Sequence, residues 1–485
     1  MNASSLPVVV IGAGLAGLSA AVRLGRMGYR VVILEAGSGI GGCCSTETVD
    51  GFRFNNGAIY VATPSLLRHA FTRLGLDLDE QVRMHAIEVP QLSVLDNGTR
   101  VFTTTTQGSW VEGERADERT RRYRSELDHL YRTWRPIYRT LMDEVLPHEL
   151  SMWRVLSRLW RHLPKMSGSV ADLLRKNFSD PDARAAAGAI TLYTGLAPQD
   201  TPAAQIVGLM ALLDEGFWLP EGGMGRIPEA LGHAAVAQGV DIRLQAVVDR
   251  IAIRHGAVEG VHLADGKFVP ARAVIATNSA VQTVKDMLDP GIVPKSLARR
   301  AQKSPLSHRA ISIQLGVQWE EPATARAFAV NHVPSLEKQG LFHLPAEGTV
   351  RWFSWTCPTG IVPGTAPEGM AVVEMFAPVP AGNADAVDTD ETRDIAERYM
   401  AAWHREQPCR IVARRILSPR DFAIQRHLYK GALYGLSPGV KPTAYFPHRS
   451  GITGLYLAGQ TTYPGYGVAP AMLSGIHAAD ALRAK

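Results

Sequence analysis

Cysteine is scarce in this sequence, and the cysteines present form no metal or disulfide pattern. Among 485 residues there are four: Cys43, Cys44, Cys357 and Cys409. Disulfide-stabilised domains are denser in cysteine, and zinc sites need regularly spaced pairs of ligands. The composition therefore excludes a disulfide scaffold and indicates no metal site. It is typical of a reducing compartment, so we expect a cytoplasmic protein.

Long apolar runs are also missing. A membrane-spanning helix needs about 20 consecutive apolar residues, and the sequence contains no such stretch. The apolar segment 6–22 is rich in glycine and lacks the basic residues that open a signal peptide. The sequence therefore predicts no spanning helix and leaves only peripheral contact with a membrane.

A strong excess of one charge is absent as well. The formal net charge is +5 and the pI is about 9.0, which is mild for this length. Nucleic-acid binders concentrate basic residues on one surface, so this function class is not expected. With 46% hydrophobic residues, the chain can bury a large core in two or more domains.

Glycine, by contrast, is plentiful, and near the N-terminus it forms a motif. The sequence predicts a strand over 6–11, a turn with Gly12, Gly14 and Gly17, a helix over 18–27, a second strand over 30–34, and then the acid Glu35. In such a βαβ unit the glycines form a tight turn, let the backbone approach a pyrophosphate, and let the helix pack closely on the strand. The pattern predicts a dinucleotide site.

Further residues of this unit have predicted roles. Leu15 and Ala16, just before the predicted helix, are candidate cofactor contacts, and the positive end of that helix faces the phosphates. Glu35 is placed to accept hydrogen bonds from the adenosine ribose, and its charge disfavours a 2′-phosphate. A longer cofactor is indicated by the segments that follow, which add these candidate contacts: Ala36, Gly41, Gly42, Cys43, Asn55, Asn56 and Gly57. FAD fits this extended pattern better than NAD does.

A second glycine loop lies near the C-terminus. A predicted strand ends at Gly459, a loop runs to Gly467, and a helix is predicted from Val468 onward. Helix N-terminal N–H groups favour the negative charge that develops on the flavin N1–C2=O edge during reduction. Five residues are therefore candidate cofactor contacts: Gly459, Gln460, Gly467, Val468 and Ala469.

Together these motifs resemble the phytoene desaturase family, within the wider amine oxidase and protoporphyrinogen oxidase group of flavoproteins. The resemblance also includes the segments 218–228, 355–380 and 445–475, and it is weakest between about 110 and 200. It implies an α/β architecture (α+β overall) with a Rossmann-type FAD domain, a mixed substrate-domain sheet and a helical lobe. It also implies that Val248 meets the adenine, although Val248 suits a core position equally well.

The chain departs from the family pattern at four positions near the expected flavin. Cys43 stands where the family commonly has arginine, Asn55 where it has aspartate, and Tyr463 where it has histidine. Tyr466 replaces a small residue. The Cys43-Cys44 pair is more similar to the carotenoid isomerase and retinol saturase branch, while the uncharged Gln460 agrees with the desaturases.

The resemblance implies hydride transfer from a substrate C–H to flavin N5. Loss of a neighbouring proton then leaves a C=C bond in an apolar polyene or isoprenoid-like substrate. Tyr463 and Tyr466 are candidate bases and substrate contacts, or else packing aromatics. Arg449 is a candidate contact for a substrate carboxylate or the cofactor pyrophosphate.

Two other functions remain open. One is an oxidase or desaturase of a smaller cyclic ketone, acid or amine, with oxygen as the electron acceptor. The other is a non-catalytic binding protein like the GDP-dissociation inhibitors. For the desaturase the acceptor is oxygen or a quinone. The single glycine fingerprint predicts no second nucleotide site for NAD(P)H.

The motifs predict a discontinuous FAD domain built from residues 1–110, 200–300 and 430–485. A helical lobe over 111–199 and a substrate-domain sheet over 301–429 complete the chain. Helices are predicted over 118–135, ending at Pro136, and over 151–163. The second is rich in Trp and Arg, and two interpretations stay open: contact with lipid headgroups, or packing on its own domain.

Overall fold

The structure is a computed structural model that describes residues 6–320, 326–339, 353–379 and 389–483. Its strands, in chain order, are β1 (Val8–Ile11), β2 (Val31–Leu34), β3 (Thr46–Val49), β4 (Phe52–Asn55), β5 (Met84–Ala86), β6 (Gln91–Leu95), β7 (Arg100–Thr103), β8 (Trp110–Glu112), β9 (Trp218–Pro220), β10 (Asp241–Arg243), β11 (Val248–Arg254), β12 (Ala257–Leu263), β13 (Phe268–Pro270), β14 (Ala273–Ala276), β15 (Arg309–Trp319), β16 (Ala329–Val333), β17 (Phe353–Thr356), β18 (Ala371–Val379), β19 (Cys409–Leu417) and β20 (Leu455–Leu457). Its helices are α1 (Leu15–Arg26), α2 (Pro64–Arg73), α3 (Leu78–Gln81), α4 (Ala116–Thr140), α5 (Met152–Leu159), α6 (Val170–Asn177), α7 (Pro181–Gly188), α8 (Val207–Glu215), α9 (Arg226–Ala237), α10 (Ala280–Asp286), α11 (Lys295–Lys303), α12 (Thr389–Glu406), α13 (Pro419–Gln425) and α14 (Val468–Arg483).

A five-stranded parallel sheet has the order β10-β2-β1-β14-β20. Four of its strands (β1, β2, β14 and β20) are buried along their whole length, as expected for apolar strands covered on both faces. Helices α1 and α14 share the core on one face, while β11 to β13 share the core on the other. This arrangement confirms the predicted α/β class with a Rossmann-type parallel sheet.

The parallel sheet gathers strands from distant parts of the chain. Because its strands run the same way, their carboxyl ends lie at one edge, where ligands of open α/β sheets usually bind. Gly12, Glu35, Thr277 and Gly459 each follow a different strand at that edge. The topology therefore brings the N-terminal and C-terminal glycine motifs together.

An eight-stranded mixed sheet has the order β19-β15-β18-β17-β16-β6-β7-β8. One face packs on α12 through an apolar core that includes Ile313, Met375 and Trp403. The other face meets the β3-β4 hairpin, where a Cβ on Gly316 would lie 2.6 Å from the Phe52 ring. A residue larger than glycine at this position would push the hairpin off the sheet.

Strands β6 to β8 join this second sheet, not the parallel one. The domain division drawn from the sequence places residues 91–110 with the FAD domain, whereas β6 pairs in parallel with β16. The local strand pattern gives no information about a partner more than 200 residues away. The remaining domain boundaries stay predictions.

The helical lobe follows β8. Helix α4 runs through Pro136 and ends at Thr140, so the prediction that the helix ends at Pro136 is wrong. Proline removes one helical hydrogen bond, but the next two residues, Ile137 and Tyr138, are fully buried and pack the following turn in place. A π-type turn over Leu141–Val145 comes next.

Helix α5 lies on the surface of the lobe. It covers Met152–Leu159, so the predicted 151–163 helix is shorter in the structure and continues as turns. Trp153 is 80% exposed and Trp160 is 59% exposed. Among the described residues, no helix has the length and apolarity needed to cross a bilayer.

Candidate active site

The β1-α1 turn has the geometry of a phosphate-binding turn. Gly12 has φ of +98°, which only glycine adopts readily. A Cβ on Gly17 would lie 1.9 Å from the Gly12 carbonyl oxygen, whereas a Cβ on Gly14 would meet no atom of the described residues within 4 Å. Gly12 and Gly17 are thus required by the fold itself, while the space beside Gly14 is open for a ligand.

The N-terminus of α1 has the Glu35 carboxylate beside it, which accepts from the N–H of Ala13, one residue before the N-cap. Gly14 is the N-cap without a side-chain cap, and the first turn contains no acidic residue. The first turn of α14, which begins at Val468, also contains no acid. Both helix ends can therefore stabilise negative charge on a bound molecule.

Glu35 lies at the end of β2, beside the glycine turn. Its carboxylate accepts hydrogen bonds from the backbone N–H of Ala13 at 2.6 Å and of Gly37 at 2.7 Å. Its own carbonyl accepts from the N–H of Ala246 at 2.8 Å, two residues before the half-buried Val248. Glu35 and the segment that leads into β11 therefore lie side by side, next to Ala36.

The second glycine pair packs directly on the first motif. Gly41 donates its N–H to the Ala13 carbonyl at 2.8 Å. A Cβ on Gly42 would lie 3.6 Å from the Cα of Gly14. A Cβ on Gly57 would lie 2.9 Å from the Cys43 carbonyl oxygen. Four predicted contacts, Gly14, Gly42, Cys43 and Gly57, thus lie along one backbone surface.

The Cys43 thiol is half-buried and free. Burial raises the pKa of this thiol to about 11. Cys44, beside it, is buried with its Sγ 3.5 Å from the Met224 carbonyl. Neither cysteine is a ready thiolate nucleophile at neutral pH.

The C-terminal loop is held against the same edge of the sheet. Gly459 has φ of +96° and donates its N–H to the Ser474 hydroxyl at 2.9 Å. A Cβ on Gly475 would lie 2.0 Å from the Ala16 carbonyl, so α14 crosses α1 in direct contact. Val468 and Ala469 open α14 two turns earlier, about 10 Å along the helix axis. Gly467, just before them, is exposed with φ of +107°.

Gln460 points towards the segment 433–435. In the orientation of the side-chain amide that lets both of its polar atoms form hydrogen bonds, the nitrogen donates to the Leu433 carbonyl at 3.1 Å and the oxygen accepts from the Gly435 N–H at 3.3 Å. The side chain thereby fixes the backbone on either side of Tyr434. Tyr434 stacks on Tyr466, with ring centroids 4.5 Å apart.

The two candidate tyrosines have different surroundings. The Tyr463 hydroxyl donates to the Val145 carbonyl at 2.8 Å, so it is engaged in a bond between the C-terminal loop and the lobe. Tyr466 is half-buried in a cluster with Tyr434 and Tyr445, and burial raises its pKa. Neither phenol is close to ionisation at neutral pH.

His308 is a member of this site that the sequence did not single out. Its ring meets Tyr434 edge-on at 5.3 Å, and a Cβ on Gly195 of the lobe would lie 1.7 Å from its Nδ1. Burial lowers the pKa of His308 to about 4, so the ring is neutral. No sequence signal separates this histidine from the others, because only the fold brings it to Tyr434.

Asn55 and Asn56 are buried where the β3-β4 hairpin meets the large sheet. The Asn55 N–H donates to Glu374 Oε1 at 2.6 Å, and Gln314 Nε2 donates to the Asn55 carbonyl at 2.7 Å. Arg415 donates to the Asn56 Oδ1 at 2.9 Å. The sequence did hold one signal for this cluster, since Glu374 is a lone acid within the apolar run of β18.

Arg449 lies away from the glycine motifs. It is exposed and forms an isolated β-bridge with Tyr456 of β20. Because β20 is the edge strand of the parallel sheet, Arg449 lies outside that sheet. Two strands separate it from the β1-α1 turn, and neighbouring strands are about 4.8 Å apart. The position does not support the expected contact with the pyrophosphate.

The described residues contain no group of three or more His, Cys, Asp or Glu side chains arranged to hold a metal ion. What they do provide is open backbone near the N-termini of α1 and α14, neither of which has an acidic residue in its first turn. FAD fits this arrangement, since its diphosphate requires open backbone beside Gly14 and its flavin requires donors near α14.

Comparison with known proteins agrees with this geometry. Residues 15–483 match the family described as flavin containing amine oxidoreductase. The chain is 27% identical to the zeta-carotene-forming phytoene desaturase of Myxococcus xanthus, over 96% of this chain and 92% of the relative. It is 29% identical to the hydroxyneurosporene desaturase of Cereibacter sphaeroides, over 98% and 97%.

A solved structure shares the fold over nearly the whole length. An oxidoreductase from Methanosarcina mazei superposes with a TM-score of 0.65 and 16% identity, covering 97% of this chain and 99% of the other. The family match and the geometry confirm the predicted FAD cofactor and family resemblance. The chain is therefore an FAD-dependent oxidoreductase that belongs to the flavin-containing amine oxidoreductase family and resembles its phytoene desaturase-like members along its whole length.

Proposed function

We propose that the chain is an FAD-dependent desaturase of an apolar polyene. FAD, when bound, accepts a hydride from a substrate C–H at N5, while the neighbouring carbon loses a proton and a C=C bond forms. The observation that carries the proposal is the direct contact of the two helices that follow the glycine loops, since a Cβ on Gly475 of α14 would lie 2.0 Å from the Ala16 carbonyl of α1. The substrate class comes from relatives named phytoene and hydroxyneurosporene desaturase.

Different residues of the chain would hold different parts of the cofactor. Gly12, Gly14 and the N–H groups of Leu15 and Ala16 would bind the diphosphate, and Gly17 lets α1 approach. Glu35 would accept the ribose hydroxyls, and Val248 would border the adenine. The segments 41–43 and 56–57 would line the cofactor beyond the diphosphate. Gly459 shapes the C-terminal loop, and Gly467 with the first residues of α14, Val468 and Ala469, would stabilise the negative charge that develops on the flavin.

The side chains that cluster at the C-terminal loop are aromatic. Tyr466, Tyr434 and the uncharged His308 form an aromatic wall, and Tyr463 is held by Val145. A polyene loses its proton from an allylic cation, which does not need a strong base; the site must only orient the chain and exclude water. Such aromatic rings can pack along an apolar chain, and none of them carries a negative charge that would pair with an ammonium group.

The peripheral membrane contact is part of the proposal. Trp153, Leu156 and Trp160 are exposed on and just after α5. Arg158 and Arg161 are exposed beside them, and Arg161 lies over the Trp160 ring at 5.0 Å. Apolar rings flanked by cations suit an anionic lipid surface, from which an apolar substrate would enter.

Substrate class is tested by anaerobic flavin reduction. The FAD-loaded enzyme is mixed in turn with a polyene in detergent micelles, a primary amine and a cyclic ketone, and the visible flavin band is followed. We expect bleaching with the polyene only. Bleaching with the amine or ketone alone would favour the oxidase of a small substrate, and readmitting oxygen or a quinone then identifies the electron acceptor.

A further inference from the structure

A row of three polar side chains crosses the face of the eight-stranded sheet that meets the β3-β4 hairpin. Arg415 on β19, Gln314 on β15 and Glu374 on β18 are Cα partners in register. All three reach the end of the β3-β4 hairpin, at Asn55 and Asn56. Three neighbouring strands thus each supply one side chain to two consecutive residues.

Every polar atom of Asn55 is bonded within the protein. Its N–H and its Nδ2 donate to the two oxygens of Glu374, at 2.6 Å and 3.4 Å. Its carbonyl accepts from Gln314 at 2.7 Å. Its Oδ1 accepts from the Thr46 hydroxyl and the Met224 N–H, each at 3.0 Å. Asn55 is therefore held within the protein at every polar atom, and it transmits the position of the sheet to the hairpin.

The residues that follow Asn55 lie on the proposed cofactor surface. The Asn56 N–H donates to the Ser45 carbonyl at 3.0 Å, and the Ala58 N–H donates to the Cys43 carbonyl at 2.9 Å. Gly57, between them, packs on Cys43 with no space for a side chain. A shift of Asn55 would move Gly57 away from Cys43 and the backbone beside Gly42.

We propose that Glu374 is a positioning residue of the flavin site: by accepting both donors of Asn55, it fixes the 55–57 segment against Cys43. This proposal rests on the proposed function in one respect, that FAD lies along this segment. The geometry requires two acceptors at position 374, because both atoms of Asn55 that face it are donors. Ionised glutamate satisfies this requirement, and glutamine does not.

A double-mutant cycle tests the contact directly. In Glu374→Gln the new amide nitrogen faces Asn55 Nδ2, donor against donor. In Asn55→Asp the new oxygen faces Glu374, acceptor against acceptor. In the double variant the polarity of the pair is reversed, so the introduced amide can donate to the introduced carboxylate and the contact is restored.

The readouts are the dissociation constant of FAD and the visible spectrum of the bound flavin. We expect each single variant to weaken FAD binding by about tenfold, the scale of one unsatisfied buried polar group, and to shift the spectrum. The double variant should recover to within about threefold of the wild type. Ile313→Val, on the opposite face of the same strand as Gln314, is the matched control, because it loosens the core of the sheet without touching the hairpin.

Two results would overturn the proposal. One is a double variant that binds FAD no better than the weaker single variant. The other is a set of single variants that lower the melting temperature, as Ile313→Val does, yet leave the FAD dissociation constant and spectrum unchanged. Neither result depends on turnover. A wild-type enzyme that binds FAD, but whose flavin is reduced by none of the polyenes, would therefore contradict the desaturase proposal and leave the Glu374 proposal unaffected.

Discussion

The hydroxyl of Tyr463 donates a 2.8 Å hydrogen bond to the backbone carbonyl of Val145. The bond joins the loop before α14 to the π-type turn that ends the long helix of the lobe. Nearby, His477 Nε2 lies 3.1 Å from the Pro147 carbonyl, and its ring is nearly parallel to that of Tyr463. The C-terminal loop and the lobe are therefore one connected structure at this point.

Tyr463→Phe should lower the stability of the protein more than it lowers the rate of flavin reduction. The variant removes one of two hydrogen bonds to the Val145 carbonyl, which also accepts from the His148 N–H at 3.3 Å, so the loss costs about 1 kcal/mol. We expect a lower melting temperature and a rate of flavin reduction within about threefold of the wild type in single-turnover measurements. A loss of about a hundredfold or more with an unchanged melting temperature would instead make Tyr463 the proton acceptor, the role for which it is a candidate from the sequence.

Gly14→Ala and Gly17→Ala should fail in different ways. A Cβ on Gly14 meets nothing among the described residues within 4 Å, so the apoprotein should keep its melting temperature while FAD binds about tenfold more weakly or worse. A Cβ on Gly17 would collide with the Gly12 carbonyl, so that variant should lose stability even without FAD. Calorimetry of the two apoproteins checks this; equal melting temperatures for both variants would contradict it.

Glu374 should make stability fall as the pH rises. Burial raises the pKa of Glu374 from 4.5 to about 7, although Asn55 donates to the carboxylate. Between these values the folded state holds a proton that the unfolded state has released, so the free energy of unfolding decreases with increasing pH. The decrease is roughly 3 kcal/mol at full effect.

The comparison with Glu374→Gln isolates this effect from the other titrating groups. Melting temperatures of both proteins are measured from about pH 5 to about pH 8. The wild-type curve should fall relative to that of the variant. Parallel curves would show that Glu374 does not titrate in this range. Cys357, which feels the Glu374 charge, has its own pKa raised to about 11 and stays neutral throughout.

Removal of the two exposed tryptophans should abolish membrane contact. The double variant Trp153→Ala, Trp160→Ala should remain in the unbound fraction when floated with anionic vesicles, whereas the wild type should float and be released by salt. Val236→Ala, Ile424→Ala is the matched control, since these side chains are 62% and 59% exposed elsewhere on the surface. Equal flotation of the two double variants would rule out α5 as the contact.

The βαβ unit could be predicted from the sequence because all its signals are local. The β-branched strands, the glycine spacing and the acid at position 35 lie within 30 residues, and the structure reproduces them with shifts of a few residues at the ends. The helix begins at Leu15, three residues before the prediction, because Gly14 is the N-cap. Backbone geometry, not apolar periodicity, determines where it starts.

The contacts that complete the site could not be predicted, because they join distant segments. Asn55 and Glu374 are 319 positions apart, and Tyr463 and Val145 are 318 apart. A motif predicted that Asn55 lies near the cofactor, but its bonds to Glu374 and Gln314 depend on how the hairpin meets the sheet. Only the fold reveals that both polar atoms of its side chain are bonded within the protein.

The stoichiometry of one anaerobic turnover decides whether the chain is a polyene desaturase. Enzyme loaded with FAD is mixed with phytoene in micelles without oxygen or quinone, and the polyene and the flavin are quantified together. We expect one flavin to be reduced for each polyene that loses two hydrogens and gains a C=C bond. Flavin that stays oxidised with phytoene but is reduced by an amine or a cyclic ketone would contradict the desaturase proposal.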